Sequence, residues 1–488
     1  MSKSNATQRI GQLKLDLLKE KETVVTFDGE DVTGNSGVLL LAQAEKMTGL
    51  LSGAEKRLQD HRTASLIKHN QFEMIAQRVH QIAVGLPAAD DSDKAKGDAA
   101  IKVGSGRHPL LGEDLSSQPT QSRFEGGRSY KELYRLSEWL VDYYIQCHPK
   151  PPRHLVLDFD GSAMETFGIQ LQAFYRSGPY KKFMYFPLFV FDEAGWLLVA
   201  ALRPGDDGEV KLALPVLKRL VGRLRKAWPA VRITVRADGA FTDAALYRWL
   251  DENGVDYVLG LKHNNVLLSR SWQFREAAKK CFKRKHTQPK FTGSKGKQRK
   301  LKKLKAVRSI ADRKERREAH EEMNSRRVRV FGDFQYGAKT WDRERRIVCR
   351  CDFDDSGLNV RYVVTSFKNH TASQVYEIYC RRAKIELWIK NLKETRCARL
   401  SCAQFKSNMF RLLLHALAYL LIHQVRCVLP KHFQSMSIEK FRRLFLNVAA
   451  HVHEGPHTAV FRLSASYSEA HTFRPASKRL GAQSLIAA

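Results

Sequence analysis

The sequence predicts an α/β protein in which a helix-covered mixed β-sheet follows a helical N-terminal region. Three observations lead to this prediction. Apolar residues recur at helical spacing before position 150, and strand-length apolar runs alternate with amphipathic segments from His154 onward. In addition, Asp160 and Asp238 each stand at the end of an apolar run. Because charged residues are rarely placed against apolar strands unless they are paired or bind a metal, the sheet edge is also where chemistry is expected.

Helices dominate the predicted N-terminal region. The first clear helix stops at Gly85-Leu86-Pro87 and has apolar residues three or four positions apart, at Phe72, Ile75, Val79 and Ile82. Residues 88–114 are rich in Gly, Asp and Lys without a sustained period, and predict a loop. A second helix opens with the capping box Ser129-x-x-Glu132 and carries apolar residues at Leu133, Leu136, Leu140 and Tyr144.

A short polar helix is predicted over Ser117–Glu125, where Pro119 suits a first helical turn. Its polar side chains are expected to face outward at Gln118, Gln121, Ser122 and Arg123. Two interpretations fit this spacing equally well. The segment is either the reading helix of a helix-turn-helix, which contacts base edges or phosphates, or a solvated surface turn.

Five strands and two helices are predicted next. The strands cover residues 155–160, 183–191, 196–202, 231–237 and 255–261. One helix lies near Pro215, before the fourth strand, and another covers residues 242–252, before the fifth. The succession β-β-β-α-β-α-β is the topology of an RNase H-like core, which needs a mixed sheet covered by helices. Acids at the ends of its first and fourth strands would lie side by side.

A basic segment then interrupts the core. No acidic residue occurs between Lys279 and Arg308, a stretch called the basic arm below. Its cations include Lys283, Arg284, Lys300, Lys302 and Lys303. A like-charged block of this kind does not pack by itself, so we expect a disordered arm, or one ordered by a ligand. Three alternating strands over residues 328–364 follow and predict a small inserted β subdomain that carries the arm next to the active site.

The complete prediction is an α/β fold with an RNase H-like mixed-sheet catalytic core, an inserted β subdomain and a helical N-terminal DNA-binding region. It divides the chain into five segments. These are the N-terminal region (1–150), the first part of the core (151–265), the basic arm with the inserted subdomain (266–370), the C-terminal core helices with the catalytic Glu (371–430), and a tail (431–488).

Charge limits the possible partners. The chain has 83 Lys and Arg against 51 Asp and Glu, a formal net charge of +32. Such an excess favours a polyanion, and nucleic acid is the expected partner. No membrane partner is expected, because the most apolar stretch, Phe410–Val425, is interrupted by Arg411, His415 and His423 and is typical of a buried helix. The N-terminus lacks the apolar run of a signal peptide, so a cytoplasmic location is expected.

Three acids are the candidates for catalysis: Asp160, Asp238 and Glu386. Cleavage of a phosphodiester requires an activated nucleophile and a stabilised leaving oxygen, and two Mg²⁺ ions held by carboxylates supply both. Asp158 lies on the same strand face as Asp160 and is its main competitor. The alternative interpretation of Asp238 is an Asx-type turn before the helix at Thr242, and this turn and a catalytic role can both be true. Glu386 taken alone would pair with Lys390 one turn later.

The helix predicted around Glu386 has an unusual face. Tyr379, Arg382, Glu386, Lys390 and Lys393 are spaced three or four residues apart and therefore share one side. Aromatic and cationic groups next to a metal-bound phosphate can stack on a base and hold the DNA backbone. This stripe favours the catalytic reading of Glu386, since an ordinary solvated face more often mixes charges without such a tyrosine.

The pattern Tyr379-x-x-Arg382-x-x-x-Glu386-x-x-x-Lys390 resembles, position by position, the signature of cut-and-paste DDE transposases from bacterial insertion sequences. The wider chain resembles the insertion-sequence group called thirteen-eighty. The supporting stretches are Ser36-Gly-Val-Leu-Leu-Leu41, Ser117-Gln-Pro-Thr-Gln-Ser-Arg123, Leu157-Asp-Phe-Asp160, Tyr185-Phe-Pro-Leu-Phe-Val190, Arg236-Ala-Asp238 and Asn408-Met-Phe-Arg-Leu-Leu-Leu414.

The resemblance implies a function. Asp160, Asp238 and Glu386 would hold two Mg²⁺ ions, with Mn²⁺ as a substitute, and the cationic face of the Glu386 helix would contact the transposon end. The protein would cleave terminal inverted repeats and join the free 3′ hydroxyls to target DNA, as a homodimer that pairs two ends of double-stranded DNA in the bacterial nucleoid. The alternatives are a non-catalytic DNA-binding regulator derived from a transposase and an RNase H-like nuclease.

Overall fold

The computed structural model describes residues 13–15, 23–26, 31–177, 180–208, 210–286, 293–355 and 357–481. The chain divides into two compact units. The first comprises Met1–Leu133, Glu394–Cys397 and Leu414–Ala488, and the second comprises Tyr134–Lys393 and Ala398–Leu413. The functional division into five segments stays a prediction.

The described part of residues 1–150 is mainly helical, as predicted. Its elements are β1 (Leu13–Leu15), β2 (Thr23–Val25), β3 (Val32–Thr33), α1 (Val38–Thr48), α2 (Leu50–Glu55), a 3₁₀ helix (Ala64–Leu66), α3 (Gln71–Val84), α4 (Ser92–Ala95), α5 (Ala99–Gly104), α6 (Gln118–Gly126) and α7 (Tyr130–Gln146). Helices α4 and α5 fall in the stretch 88–114, which the sequence predicted to be a loop; that prediction was wrong. Helix α5 starts where the Asp98 carboxylate accepts a hydrogen bond from the Ile101 amide, a local cap within a polar stretch.

Local capping sets the ends of the two predicted helices. Helix α3 ends at Gly85, which has φ 102° and so adopts the left-handed conformation that glycine tolerates. In the first turn of helix α7, the Ser129 amide donates to the buried Glu132 carboxylate at 2.7 Å, and the Glu132 amide donates to the Ser129 hydroxyl at 3.3 Å. The capping box predicted from the sequence is therefore confirmed.

The second unit is built on β-strands and the helices that cover them. The strands are β4 (His154–Gly161), β5 (Met164–Glu165), β6 (Phe174–Arg176), β7 (Lys182–Tyr185), β8 (Leu188–Asp192), β9 (Leu197–Ala201), β10 (Arg232–Ala237), β11 (Asp256–Leu261), β12 (Val328–Tyr336), β13 (Arg345–Asp354) and β14 (Gly357–Thr365). The helices are α8 (Ala213–Ala227), a 3₁₀ helix (Gly239–Phe241), α9 (Ala244–Glu252), α10 (Asn265–Arg270), α11 (Trp272–Lys285), α12 (Gly293–Ser309), α13 (Arg313–Asn324), α14 (Ala372–Cys380), α15 (Ala383–Glu394) and α16 (Phe405–Val428).

The main sheet has eight strands in the order β12-β13-β14-β11-β10-β4-β8-β9. Strand β10 is parallel to both β4 and β11, and the other neighbours are antiparallel, so the sheet is mixed as predicted. The first and fourth predicted strands, β4 and β10, are adjacent. Apolar side chains of both strands are buried, as expected for central strands of a helix-covered sheet. This adjacency brings the acid-bearing strand ends together.

Two strand predictions need correction. Strands β12 to β14 do not form a separate β subdomain, because β14 pairs with β11 and so extends the main sheet. The predicted strand over 183–191 is two strands, β7 and β8, with Phe186 and Pro187 between them. Proline has no amide hydrogen to donate, so a continuous ladder is interrupted there. Strand β7 joins β5 and β6 in a separate three-stranded sheet, called the small sheet below.

Two helical segments also differ from expectation. The described part of the basic arm is helical, in α11 and α12, rather than disordered. Lysine, arginine and leucine are good helix formers, so helical propensity is satisfied even where charges repel. The predicted single helix that carries Tyr379 and Glu386 is broken into α14 and α15. At the break, the Arg382 amide donates to the Tyr379 carbonyl at 3.0 Å, a tighter three-residue turn.

Helix α16 is long and apolar enough, by length and composition alone, to cross a membrane. However, 78% of its most apolar window is buried inside the protein, which is the pattern of a core helix. The first unit then continues with α17 (Lys431–Gln434), α18 (Ile438–Phe441), a π-helical turn (Arg442–Leu446), β15 (Ala450–Glu454), β16 (Ala459–Leu463) and α19 (Ala470–Arg479). Strand β15 pairs with both β16 and β3.

A buried ion pair joins β4 and β10. Arg236 donates from Nε and Nη2 to the two carboxylate oxygens of Asp158, each at 2.7 Å, and both side chains are at most 1% exposed. Arg236 Nη1 also donates to the Ile378 carbonyl near the end of α14 and lies 3.0 Å from Glu193. Burial opposes the charge of Arg236, but hydrogen bonds from its guanidinium to Asp158 outweigh it and raise the pKa of Arg236. Burial also raises the pKa of Asp158, although the hydrogen bonds and the charge of Arg236 act against that rise.

Replacing one partner of this pair should destabilise the protein strongly. We expect Arg236→Met to lower the free energy of unfolding by about 3–5 kcal/mol, because it leaves the Asp158 carboxylate buried without its partner. The double variant Asp158→Leu with Arg236→Met should recover most of that loss. Urea denaturation followed by circular dichroism measures both. Arg232→Met, on the exposed start of the same strand, is the control; an equal loss in Arg236→Met and Arg232→Met would contradict the role of the pair.

Candidate active site

The strand register places two of the predicted acids side by side. In the parallel pair of β4 and β10, Asp158 lies opposite Arg236 and Phe159 lies opposite Ala237. Extending this register by one residue places Asp160 opposite Asp238. Both residues lie two positions beyond the buried ion pair, on the same face of the sheet. The carboxyl edge of two neighbouring parallel strands is where α/β sheets commonly bind ligands.

Local backbone structure supports each acid. A Cβ atom on Gly161, next to Asp160, would lie 2.5 Å from the Phe186 ring, so only glycine fits this close approach. The Asp238 carboxylate accepts a hydrogen bond from the Ala240 amide at 2.9 Å and so starts the 3₁₀ helix. The turn role of Asp238 predicted from the sequence is confirmed, and it leaves the residue at the sheet edge.

Arg382 is the centre of charge at this edge. Its Nη1 atom lies 3.5 Å from Asp160 Oδ2 and its Nη2 atom 3.4 Å from Glu386 Oε1. Burial of the guanidinium opposes its charge, but the negative charges of Asp160, Asp238 and Glu386 raise the pKa of Arg382. One cation therefore balances the acids that three distant parts of the sequence contribute.

Asp160 is the most strongly perturbed of the three acids. Burial, together with the charges of Asp238 and Glu386 and against the opposing charge of Arg382, raises its pKa to about 7. Its side chain is 18% exposed. A carboxyl whose pKa is shifted in this way, at a sheet edge next to other acids, is typical of a functional site.

Glu386 and Asp158 differ from Asp160 in their surroundings. Glu386 is 67% exposed in the first turn of α15, and its ion partner is Arg382 rather than the predicted Lys390. Asp158, the competitor of Asp160, is engaged by Arg236 through both oxygens. A carboxylate held in this way has little capacity for another cation, so Asp158 is structural.

The donor chemistry at this edge suits Mg²⁺, which prefers carboxylate oxygens. Within the described ranges, however, no three His, Cys, Asp or Glu side chains are grouped closely enough to hold a metal ion. The Arg382 guanidinium lies between Asp160 and Glu386, where a bridging cation would be needed. The three acids fit a metal by type, and their grouping around a metal requires Arg382 to move.

The other residues predicted to share a helix face with Glu386 are divided between α14 and α15. Tyr379 lies on α14, and Gly260 leaves room for it, since a Cβ there would lie 2.7 Å from the Tyr379 hydroxyl. Burial raises the pKa of Tyr379. Lys390 is exposed on α15, and Lys393 donates to the Ala163 carbonyl at 2.9 Å, just beyond β4. Lys393 therefore fixes the loop after Asp160.

The DNA contacts predicted in the first unit are partly corrected. Gln121 is buried, and its amide donates to Ser116 Oγ at 2.7 Å and to Gln77 Oε1 at 3.0 Å. The prediction that Gln121 faces outward was wrong, because Gln121 lies on the inner side of α6 and its side chain binds Gln77 on α3. Gln118 is half-buried and donates to Ser122, whereas Arg123 is exposed.

In the basic arm, the described cations are exposed: Lys283, Arg284, Lys302 and Lys303. The side chain of Lys300 lies outside the described residues, as do residues 287–292. Their contacts with DNA stay a prediction.

Sequence reasoning missed a cleft next to Asp238. It has a volume of about 420 Å³ and is lined by Asp238, Tyr379, Lys262, His263 and Arg361, among others. Lys262 and Arg361 are exposed, and neither forms an ion pair with an acid within the described part of the chain. Lys262 directly follows β11, which is parallel to β10. Asp238 was predicted because it is a charged residue at the end of an apolar strand, and the same criterion could have identified Lys262. Arg361 could not be found in this way, because the pairing of β14 with β11 is not visible in the sequence.

Comparisons with known proteins define the class of the chain. A family model described as Transposase DDE domain group 1 matches residues 15–485, so the chain is a DDE transposase domain protein. It belongs to group 1 of that family. No curated protein sequence matches it.

Some solved structures are similar to the chain. A piggyBac transposase synaptic complex with hairpin DNA is 12% identical with a TM-score of 0.40, over 92% of this chain and 82% of that one. A Mos1 transposase paired-end complex is 13% identical with a TM-score of 0.17, over 41% of this chain and 61% of that one. The Mos1 strand transfer complex is 14% identical with a TM-score of 0.15, over 54% and 78%. These values are too low to carry an argument.

Without divalent cations, Asp160 should make stability depend on pH. In the unfolded chain its pKa is about 4, so between pH 4 and 7 the folded protein holds a proton that the unfolded chain has lost. The free energy of unfolding therefore falls as the pH rises through this window. We expect Asp160→Asn to be neutral near pH 4 and to stabilise the protein at pH 8 by on the order of 2–4 kcal/mol.

Urea denaturation at a series of pH values measures this effect. Asp206→Asn, at an exposed aspartate of the same unit, is the matched control and should keep the wild-type pH dependence. Parallel stability curves for wild type and Asp160→Asn from pH 4 to 8 would show that the carboxyl is not perturbed.

Proposed function

We propose that this protein is a transposase that binds the terminal inverted repeats of a transposon, cleaves the ends and joins the 3′ hydroxyls to target DNA. The observation that carries the proposal is the shared environment of Asp160, Asp238 and Glu386, which all act on Arg382 at the carboxyl edge of β4 and β10. Membership of the DDE transposase family supports the same chemistry.

Asp160, Asp238 and Glu386 would together hold two Mg²⁺ ions, with Mn²⁺ as a substitute. Bound there, the ions would activate the attacking hydroxyl or water and stabilise the leaving oxygen. The protein's own task is to supply three ionised carboxylates. At neutral pH the Asp160 carboxyl holds its proton for part of the time, because its pKa is about 7. Loss of that proton is therefore part of preparing the site.

Arg382 has two roles in this proposal. In the protein alone it neutralises the acids that would otherwise repel one another. In the complex with DNA its planar guanidinium is suited to a phosphate oxygen pair, which it would bind as the carboxylates take up cations. The break between α14 and α15 at this residue places the guanidinium between the sheet edge and Glu386.

The cationic surface around the acids gives the proposed path of the DNA. Lys262 and Arg361 line the cleft on one side, and Lys390 is exposed on α15. Further contacts are proposed for Gln118 and Arg123 in the first unit and for the exposed cations of the basic arm. Phosphate contacts of this kind position DNA without reading its sequence.

The finer features of the proposal follow from the sequence resemblance. We assign the protein to the bacterial insertion-sequence group called thirteen-eighty, acting in the cytoplasm on nucleoid DNA. A homodimer would pair the two transposon ends. A non-catalytic regulator is the second candidate, and one observation favours it: Arg382, rather than a metal-sized grouping of acids, occupies the centre of the site.

Removal of any one proposed carboxylate should abolish cleavage and spare binding. We expect Asp160→Ala, Asp238→Ala and Glu386→Ala to lower the rate of Mg²⁺-dependent nicking by at least about a thousandfold, because a metal site with a missing ligand loses most of its transition-state stabilisation. The substrate is a duplex that carries the repeats flanking the gene, and end binding is measured by gel shift.

Glu377→Ala is the matched control for Glu386→Ala, because Glu377 is 68% exposed on the neighbouring helix and its ion partner among the described residues is Arg381. It should cleave at the wild-type rate. Wild-type protein that binds the repeats but never nicks them would favour the regulator, and full cleavage by all three variants would refute the assigned residues.

The cleft cations should contribute to the salt dependence of DNA binding. Each phosphate contact contributes about 0.9 to the slope of log affinity against log salt, so the double variant Lys262→Ala with Arg361→Ala should lower that slope by about two. Fluorescence anisotropy with a labelled duplex at several salt concentrations measures the slope. Lys226→Ala, an exposed lysine at the end of α8 near the start of β10, should leave it unchanged. Equal slopes for the wild type and the double variant would place the DNA away from the cleft.

A further inference from the structure

The small sheet and its loops expose an unusual concentration of apolar side chains. Among the described residues, nineteen large hydrophobic side chains are exposed, and seven of them lie between positions 167 and 183. Ile169 is 97% exposed and Phe167 is 66% exposed, on either side of Gly168, whose φ of 70° makes a tight turn. Exposed apolar surface of this kind marks an interaction site, because leaving it in water is unfavourable.

A second group of the same surface is aromatic. Tyr175 and Phe183 are cross-strand partners in β6 and β7, with ring centroids 5.6 Å apart in an edge-to-face arrangement. Both rings are more than half exposed. Residues 167–183, as far as they are described, are called the apolar face below.

The apolar face is held rigidly on its inner side. Gln170 donates to the Leu400 carbonyl at 2.9 Å, and Asn408 donates to Gln170 at 3.1 Å. The Leu171 amide donates to the Ala403 carbonyl at 2.9 Å. Because buried polar groups fix the backbone, the exposure of Phe167 and Ile169 is a property of the fold.

The small sheet, which carries the apolar face, begins four residues after Asp160 with β5. Ala163 follows Asp160 by three residues, a distance of at most about 11 Å along an extended chain. The Ala163 carbonyl accepts the hydrogen bond from Lys393, which lies on the same helix as Glu386. A DNA strand in the active site would therefore pass close to the small sheet.

We infer that the apolar face binds DNA bases next to the cleavage site, with Phe167 and Ile169 inserting between base steps and Tyr175 and Phe183 stacking on bases that are unpaired. This inference rests on the proposed function. Phenylalanine and isoleucine are used as wedges by proteins that unstack and bend DNA. Aromatic side chains stack on bases of any sequence.

Charge favours DNA over a second copy of the chain as the occupant. Lys181 and Lys182 adjoin Phe183 in sequence and are exposed. Lys182 is 54% exposed and is paired with Glu165, whereas Lys181 has no acidic partner within the described part of the chain. DNA brings phosphates, which these exposed lysines favour.

The experiment compares full-length protein on two duplexes without divalent cations, so that no cleavage occurs. One is a fluorescein-labelled duplex of an inverted repeat that flanks the gene, and the other has a three-base mismatch bubble at the repeat end. Wild type should bind the bubble duplex more tightly by about fivefold or more, as base stacking at one position would give. The double variant Phe167→Ser with Ile169→Ser and the double variant Tyr175→Ala with Phe183→Ala should each lose this preference but still bind the paired duplex.

The matched control is Trp272→Ser, which removes a large side chain that is 63% exposed in the same unit and outside the apolar face. It should keep the preference for the bubble. Retained preference for the bubble duplex in both double variants would overturn the inference. If the wild type sediments as a dimer and these variants do not, that result would assign the apolar face to a second copy. Failure of wild type to bind either duplex would instead overturn the proposed function, and the inference with it.

Discussion

The parallel pairing of β4 with β10 is the constraint on which the proposed site depends. Asp158 and Arg236 lie opposite each other in this pair and are joined by a buried two-point ion pair, so a shift of register would bury two charges without partners. The same Arg236 binds the Ile378 carbonyl and so fixes the end of α14 against the sheet. One buried cation thereby holds both the strands that end in Asp160 and Asp238 and the helix that leads to Arg382.

Electrostatic conflict at the sheet edge follows from this arrangement. Asp160 is buried beside two other acids, and its raised pKa measures how unfavourable its charge is in the folded protein. Arg382 offsets part of that cost through long contacts of 3.4 and 3.5 Å, which are weaker than the 2.7 Å bonds of Arg236 to Asp158. The short Arg236–Asp158 ion pair stabilises the fold, whereas the longer contacts of Arg382 are weak enough to be replaced by other ligands. The geometry therefore separates a structural arginine from one that, under the proposed function, would release its carboxylates to metal ions.

The sequence predicted what depends on local pattern and missed what depends on pairing between distant segments. Strand ends at Asp160 and Asp238 and the cap at Ser129 are set by neighbouring residues, and all were predicted correctly. The addition of β14 to β11 was missed, because strand edges leave no signature in a single sequence. The same limit explains Gln121, which looks like a surface residue on a polar helix but is buried by hydrogen bonds to Ser116 and Gln77. Spacing indicated the face of Glu386 but not the break at Arg382.

The second unit has two kinds of surface whose chemistry is complementary. Lys262 and Arg361 present charge on the side of β11 and β14, where a phosphate backbone is favoured whatever its sequence. On the side that follows β4, Phe167 and Ile169 present apolar groups that phosphates cannot satisfy but base faces can. Duplex DNA hides its base faces by stacking. In the proposed complex, a surface that binds exposed bases and one that holds the phosphate backbone would together favour a distorted strand over a regular duplex.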